Sequence, residues 1–278
     1  MSDVKAFPSV NKPPETRQFK AEEHCAACDA YKANPIDEYY SLAQDLIVRV
    51  SKLDETQDQM LMRLLVIELI SGVELYFRRI LTELPPICPA AERSVGGKSI
   101  PVAAASYYPL ETLPRAIFEH AALSGAKEIR TQIKEILNLE IKESSSEWVA
   151  LAAFGRVCQL RHAAAHARGE LGLQNSETLE LPPRTKRVRV LISKIGFQSI
   201  VAQTHNAIRA LNAFFFKSTV SRWATNGILS GVWESDRARF TRLAELLTSQ
   251  TDLPNAPIKD AYEQCVTSLG IGKTSSPA

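Results

Sequence analysis

Apolar residues recur every three to four positions along most of the chain, the spacing that places them on one face of an α-helix. Polar positions fill the intervening face, so these stretches are amphipathic. Pro85 and Pro86 end the longest of them, because proline lacks an amide donor and clashes with the preceding helical turn. The pattern predicts an all-α protein whose helices cover approximately residues 36–53, 55–84, 112–123, 126–141, 148–168 and 196–217.

Three parts of the chain lack long helical periodicity. Residues 85–109 contain several prolines and a glycine pair, which predicts a long loop excursion outside the core. The first 36 residues are polar and proline-rich, and the last 61 contain only shorter helical patterns. We therefore expect an N-terminal arm at 1–36, a helical domain at 37–217 and a C-terminal helical extension at 218–278.

Composition restricts the class of protein without revealing its function. Hydrophobic residues make up 45% and charged residues 23% of the 278 positions, as in ordinary globular proteins. The formal charge is only +2, so binding to nucleic acid requires a local basic patch. No uninterrupted apolar run is long enough to cross a membrane and the N-terminus has no signal-peptide core, which predicts a cytoplasmic protein without membrane contact.

The cysteines are five in number and scattered, unlike the disulfide framework of a secreted protein. Cys25 and Cys28 form a CxxC pair, which has the spacing of two zinc ligands, but no second pair lies nearby. Either these thiols are reduced and bind no metal, or they join His162 and His166 in a Cys2His2 zinc site. We favour the first interpretation and expect neither a metal nor another cofactor.

The candidate chemistry lies in the segment from Cys158 to Arg168. Three alanines separate His162 from His166, and alanine has the highest intrinsic helix propensity. At about 100° per residue, the two imidazoles lie one turn apart on the same helical face, with Arg161 beside them. Two titratable groups and a permanent cation are therefore predicted to share one surface.

The sequence Arg161, His162 and, after three alanines, His166 resembles the R-x(4–6)-H signature of the HEPN superfamily of α-helical ribonucleases. The earlier helix containing Glu68 and Glu74 resembles the second helix of stand-alone prokaryotic HEPN proteins, of the RiboL-PSP-HEPN or MAE-like type. The resemblance covers about residues 37–217. It implies a bundle of four to five core helices, with the further C-terminal helices outside it.

The same resemblance implies a metal-independent endoribonuclease, often a toxin or defence effector, that leaves 2′,3′-cyclic phosphate and 5′-hydroxyl ends. Its active site is shared between the two chains of a homodimer. Arg161 and His166 are then catalytic, His162 orients or relays, and Glu74 is a further candidate. Glu74 lies in an apolar pattern, so it either has a buried partner or faces the surface beside Arg78.

A basic cluster follows the motif in the segment 182–192, where charged and apolar residues alternate as in a short extended ribbon. These residues either contact RNA phosphates or form a solvated edge. The candidate RNA-binding residues are Arg168, Arg184, Lys186, Arg187 and Arg189. The expected partners are RNA, a second copy of the chain and a regulatory protein. The alternative functions are a non-catalytic RNA- or nucleotide-binding module and a zinc-stabilised interaction protein.

Overall fold

The computed structural model describes residues 12, 19–28, 31–109, 113–118, 121, 123–182 and 187–271. The chain divides into two compact units, Met1–Lys32 and Ala33–Ala278. In the first unit, Ala21–Glu23 form one 3₁₀ turn, and the ring of Phe19 stacks on that of His24 with 5.1 Å between centroids.

The second unit consists of helices and their connections. Its α-helices are α1 Pro35–Ser51, α2 Gln59–Glu83, α3 Pro89–Gly96, α4 Val102–Tyr107, α5 Ala126–Leu137, α6 Ser146–Ala167, α7 Leu173–Thr178, α8 Lys194–Thr225, α9 Trp233–Leu247 and α10 Ile258–Leu269. A 3₁₀ helix at Leu113–Phe118 lies between α4 and α5. The described residues contain no β-strand, which confirms the all-α class.

Short polar side chains begin three of the helices. Asn34 accepts a hydrogen bond from the backbone N–H of Asp37 at the start of α1, and Ser145 and Ser193 do the same for α6 and α8. Each side-chain oxygen pairs with one of the N–H groups that the first turn leaves without a partner. Ser145, the middle residue of the serine run 144–146, therefore supplies the N-cap of the motif helix.

The core is organised around α2, which packs against α1, α5, α6 and α8. Its Tyr76 and Phe77 are buried together with Phe154 of α6 and Phe215 of α8. A Cβ atom at Gly155 would lie 2.9 Å from Cβ of Ala126, closer than real side chains allow. Glycine at this position therefore permits the close crossing of α6 and α5.

The C-terminal helices belong to the same compact unit as the bundle. The sequence-based boundary between 217 and 218 falls inside α8, which continues to Thr225. The carboxylate of Asp37 on α1 accepts hydrogen bonds from Oγ of Ser249 at 2.7 Å and from the N–H of Gln250 at 2.8 Å. These contacts bind the segment after α9 to the start of α1.

The prediction of a long loop excursion at residues 85–109 is wrong. This segment forms α3 and α4, and Cys88, Ala91 and Ala104 are buried. Pro89 starts α3, where its missing N–H would have no partner in any case. Pro89 therefore begins a helix and does not interrupt one.

The extended ribbon predicted at 182–192 is reduced, in the described residues, to one isolated antiparallel bridge between Glu170 and Arg189. Residues 183–186 lie outside the described part of the chain. None of the helices in the described ranges is long and apolar enough to cross a membrane.

Candidate functional site

The three motif residues lie in the last two turns of α6. Their placement follows from helical spacing, and Ala163, buried between the two histidines, packs this turn against the core. His162 and His166 are exposed, and their ring centroids are 4.8 Å apart with the planes inclined by 54°. Arg161 is half-buried on the side of α6 that faces α2.

Glu74 of α2 is the partner of Arg161. Its Oε1 lies 3.7 Å from Nη2 of Arg161, and the two side chains are 18% and 27% exposed. Arg78, the alternative partner for Glu74, instead donates hydrogen bonds to the carbonyl oxygens of Phe118 and Ala121. Glu68 is exposed on the same helix. The structure therefore brings Glu74, and not Glu68, to the motif.

The ion pair between Glu74 and Arg161 is incomplete as a hydrogen-bonded pair. Oε1 of Glu74 and Nε of Arg161 are both buried and have no hydrogen-bond partner among the described residues. At 3.7 Å their side chains attract through charge, but the separation exceeds that of a hydrogen bond. The carboxylate thus holds the guanidinium near the histidines without using all of its donors.

Cys158 lies three residues before Arg161 and is buried. Burial raises the pKa of its thiol well above the ordinary value, and the Glu74 carboxylate raises it further, against a smaller opposing effect of Arg161. A thiol that stays protonated is a poor nucleophile. The chemistry of this site therefore rests on the imidazoles and the guanidinium.

The predicted RNA-binding residues are placed differently from one another. Arg168 is the C-cap of α6, in a left-handed conformation with φ 52°. Arg189 is exposed in the bridge with Glu170, and Arg187 pairs with Glu170 at 3.4 Å between Nη1 and Oε2. The predicted residues Arg184 and Lys186 lie outside the described residues.

Arg63 of α2 is the basic residue that sequence reasoning missed. Its side chain contacts the turn at Gly169, directly after the motif helix. Arg63 lies eleven residues before Glu74, which places the two side chains about 20° apart on the same face of α2. The sequence spacing therefore indicates that Arg63 and Glu74 share a face. It places Arg63 near the motif only when Glu74 is known to face α6.

No group of three or more His, Cys, Asp or Glu side chains that could hold a metal ion occurs among the described residues. Cys25 and Cys28 are exposed free thiols in the first unit. Among the described residues, no group of ligands therefore supports the zinc alternative.

The end of α6 thus presents two exposed imidazoles beside a guanidinium that the half-buried carboxylate of Glu74 holds. Imidazoles can accept and donate protons near neutral pH, and a guanidinium can bind the oxygens of a phosphate. The site is suited to acid–base chemistry on an anionic substrate. Comparisons of this chain with protein-family models, with curated proteins and with solved structures find no match.

Proposed function

We propose that this protein is a metal-independent endoribonuclease of the HEPN type. The observation that carries the proposal is the contact between Arg161 and Glu74 beside two exposed imidazoles 4.8 Å apart. The R-x4-H spacing supports the same conclusion through the resemblance described above. A toxin or defence role and a regulatory protein partner follow from that resemblance alone, and a cytoplasmic location follows from the hydropathy pattern. All three stay predictions.

The proposed reaction is an internal transesterification of RNA. A base removes the 2′-hydroxyl proton, the 2′-oxygen attacks phosphorus, the bond from phosphorus to the 5′-oxygen breaks, and an acid protonates that leaving oxygen. His166 transfers protons, and His162 orients or relays. Arg161 binds the phosphate oxygens as negative charge develops, and Glu74 positions Arg161.

The proposal predicts the chemical ends of the products. Cleavage of a defined RNA should leave 2′,3′-cyclic phosphate and 5′-hydroxyl ends, because the 2′-hydroxyl is the nucleophile. EDTA should not lower the rate, because the proposed acid, base and phosphate-binding groups are side chains and not a metal ion. Mass spectrometry of the fragments measures both ends, and an all-DNA strand of the same sequence is the control. Products with 5′-phosphate ends, or cleavage of the DNA, would instead indicate metal-activated water.

A second copy of the chain completes the proposed site. In-line displacement needs a base and an acid on opposite sides of the phosphorus, whereas His162 and His166 project from one side of one helix. His205 packs edge-on against Tyr39 and Tyr40, and burial lowers its imidazole pKa, so we assign it to the core. A twofold dimer supplies the missing imidazole without any further residue.

The surface of α2 supports this arrangement. Met60, Leu64 and Leu75 lie within about 60° of one another around α2. They are 61%, 50% and 39% exposed, and the exposed polar residues Glu68 and Ser71 lie between them on this face. Glu74 lies at the edge of that face, next to Arg161. Exposed apolar side chains on a shared face are typical of contact surfaces, so we propose that the dimer contact includes this face together with the His166 face of α6.

Mixing two proteins tests the shared site. An excess of His166→Ala protein should suppress the activity of a fixed amount of wild-type protein, because each mixed dimer lacks one imidazole. His166→Ala protein that also carries Leu64→Glu should suppress much less, since a carboxylate in the contact weakens association. Cleavage rates across the mixing ratio give the result, and a fully active monomer in sedimentation would contradict the composite site.

A further inference from the structure

A tight turn follows the motif helix and brings two other segments against it. Gly169 is buried and has φ +89°, a conformation that side chains other than glycine rarely adopt. A Cβ atom there would lie 2.7 Å from Cδ of Arg63 and 3.4 Å from Cγ of Arg189. Because Gly169 has no side chain, Arg63 and Arg189 can both pack against this turn, which directly follows Arg168.

Two backbone hydrogen bonds join the turn to the segment 187–192, and the side chain of Arg63 joins α2 to the same segment. The N–H of Val190 donates to the carbonyl of Gly169 at 2.7 Å, and the N–H of Leu171 donates to that of Val188 at 2.9 Å. Nη1 of Arg63 donates to the carbonyl of Val190 at 3.3 Å. Arg63 of α2, Arg168 at the end of α6 and Arg189 of the segment 187–192 are thus held around the turn at Gly169.

The charges of these arginines are not neutralised within the described protein. Arg63, Arg168 and Arg189 form no ion pair there, whereas the neighbouring Arg187 pairs with Glu170. The pKa of Arg63 is lowered, first by partial burial and then by the positive charges of Arg189 and Arg168. Like charges held close together repel, and a bound anion removes that repulsion.

We infer that Arg63, Arg168 and Arg189 form a phosphate-binding subsite that takes an RNA backbone phosphate flanking the one that is cleaved. Arg168 lies two residues after His166, so the subsite adjoins the proposed catalytic histidine. Arginine is suited to this contact because its planar guanidinium binds two phosphate oxygens at once. The inference rests on the proposed function and extends it to the binding of the substrate strand.

The test uses the full chain and a fluorescent single-stranded 2′-O-methyl RNA, which binds but offers no 2′-hydroxyl for cleavage. The variants are Arg63→Gln, Arg168→Asn and Arg189→Gln, with asparagine chosen at 168 because it tolerates the left-handed conformation. Each should raise Kd by about tenfold at low salt and reduce the slope of log K against log salt by about 0.7, the value for one lost phosphate contact on a single strand.

The matched control is Arg156→Gln, which also removes one positive charge but from an exposed arginine of α6 that pairs with Glu180 and lies outside the predicted RNA-binding residues. It should bind RNA as the parent does. Arg63 is half-buried, so two measurements separate lost binding from lost folding. One is the RNA affinity of Arg63→Lys, which keeps the charge, and the other is the thermal unfolding of each variant. Arg168 and Arg189 are exposed, and their variants test the subsite without disturbing the core.

The outcomes distinguish this inference from the proposed function. If the Arg63, Arg168 and Arg189 variants bind like the parent, or if Arg156→Gln weakens binding equally, the subsite is overturned, while cleavage of ordinary RNA by the parent still supports the nuclease. Binding through these three arginines with no cleavage of ordinary RNA overturns the nuclease and retains the subsite. A parent that neither binds nor cleaves RNA overturns both.

Discussion

Replacing His166 with alanine is expected to lower the rate of RNA cleavage by about 10²- to 10⁴-fold, the usual contribution of general acid–base catalysis. The side chain is exposed in the last turn of α6, and alanine is the best helix former, so the fold should be retained. Single-turnover cleavage of a defined RNA, with thermal unfolding of the same sample, measures both effects.

The matched control for His166→Ala is His24→Ala. His24 is also exposed but lies in the first unit and outside the motif, so its loss should leave cleavage unchanged. His162→Ala should reduce the rate less than His166→Ala, because an orienting or relaying group does not itself carry the transferred proton. Cleavage by His166→Ala protein at the parent rate would remove His166 from the mechanism.

Arg161→Lys is expected to lower the cleavage rate by roughly 10²- to 10³-fold, the range seen when one group that stabilises transition-state charge is removed. Lysine keeps the positive charge, but it loses the planar fork that can bind two phosphate oxygens. It also has only a single ammonium group to meet the Glu74 carboxylate. The effect should appear mainly in kcat, measured under saturating RNA.

Arg156→Lys is the control for this substitution in the same helix. Arg156 is exposed and pairs with Glu180 at 3.6 Å, so the exchange should change neither cleavage nor folding. Glu74→Gln should weaken cleavage as well, because a neutral amide no longer holds Arg161 by charge. An Arg161→Lys protein as active as the parent would show that charge alone suffices at this position and would refute the bidentate role.

Residue spacing alone was sufficient for the helical class and for the shared face of His162 and His166. The 3.6-residue period of apolar positions follows from local helix geometry, and most of the predicted helices are present. His162 and His166 lie one turn apart for the same reason, because three alanines keep the segment helical. Such features depend on contacts between residues a few positions apart.

The third dimension decided which distant residues meet the motif. The sequence indicates that Glu74 and Arg63 share a face of α2, but their positions beside α6 depend on how α2 packs against it. Likewise, the segment after α2 forms α3 in place of the predicted loop, and α3 packs against α5. Helical periodicity determines which side of a helix is buried, but the partner on that side is set by the free energy of packing the whole core.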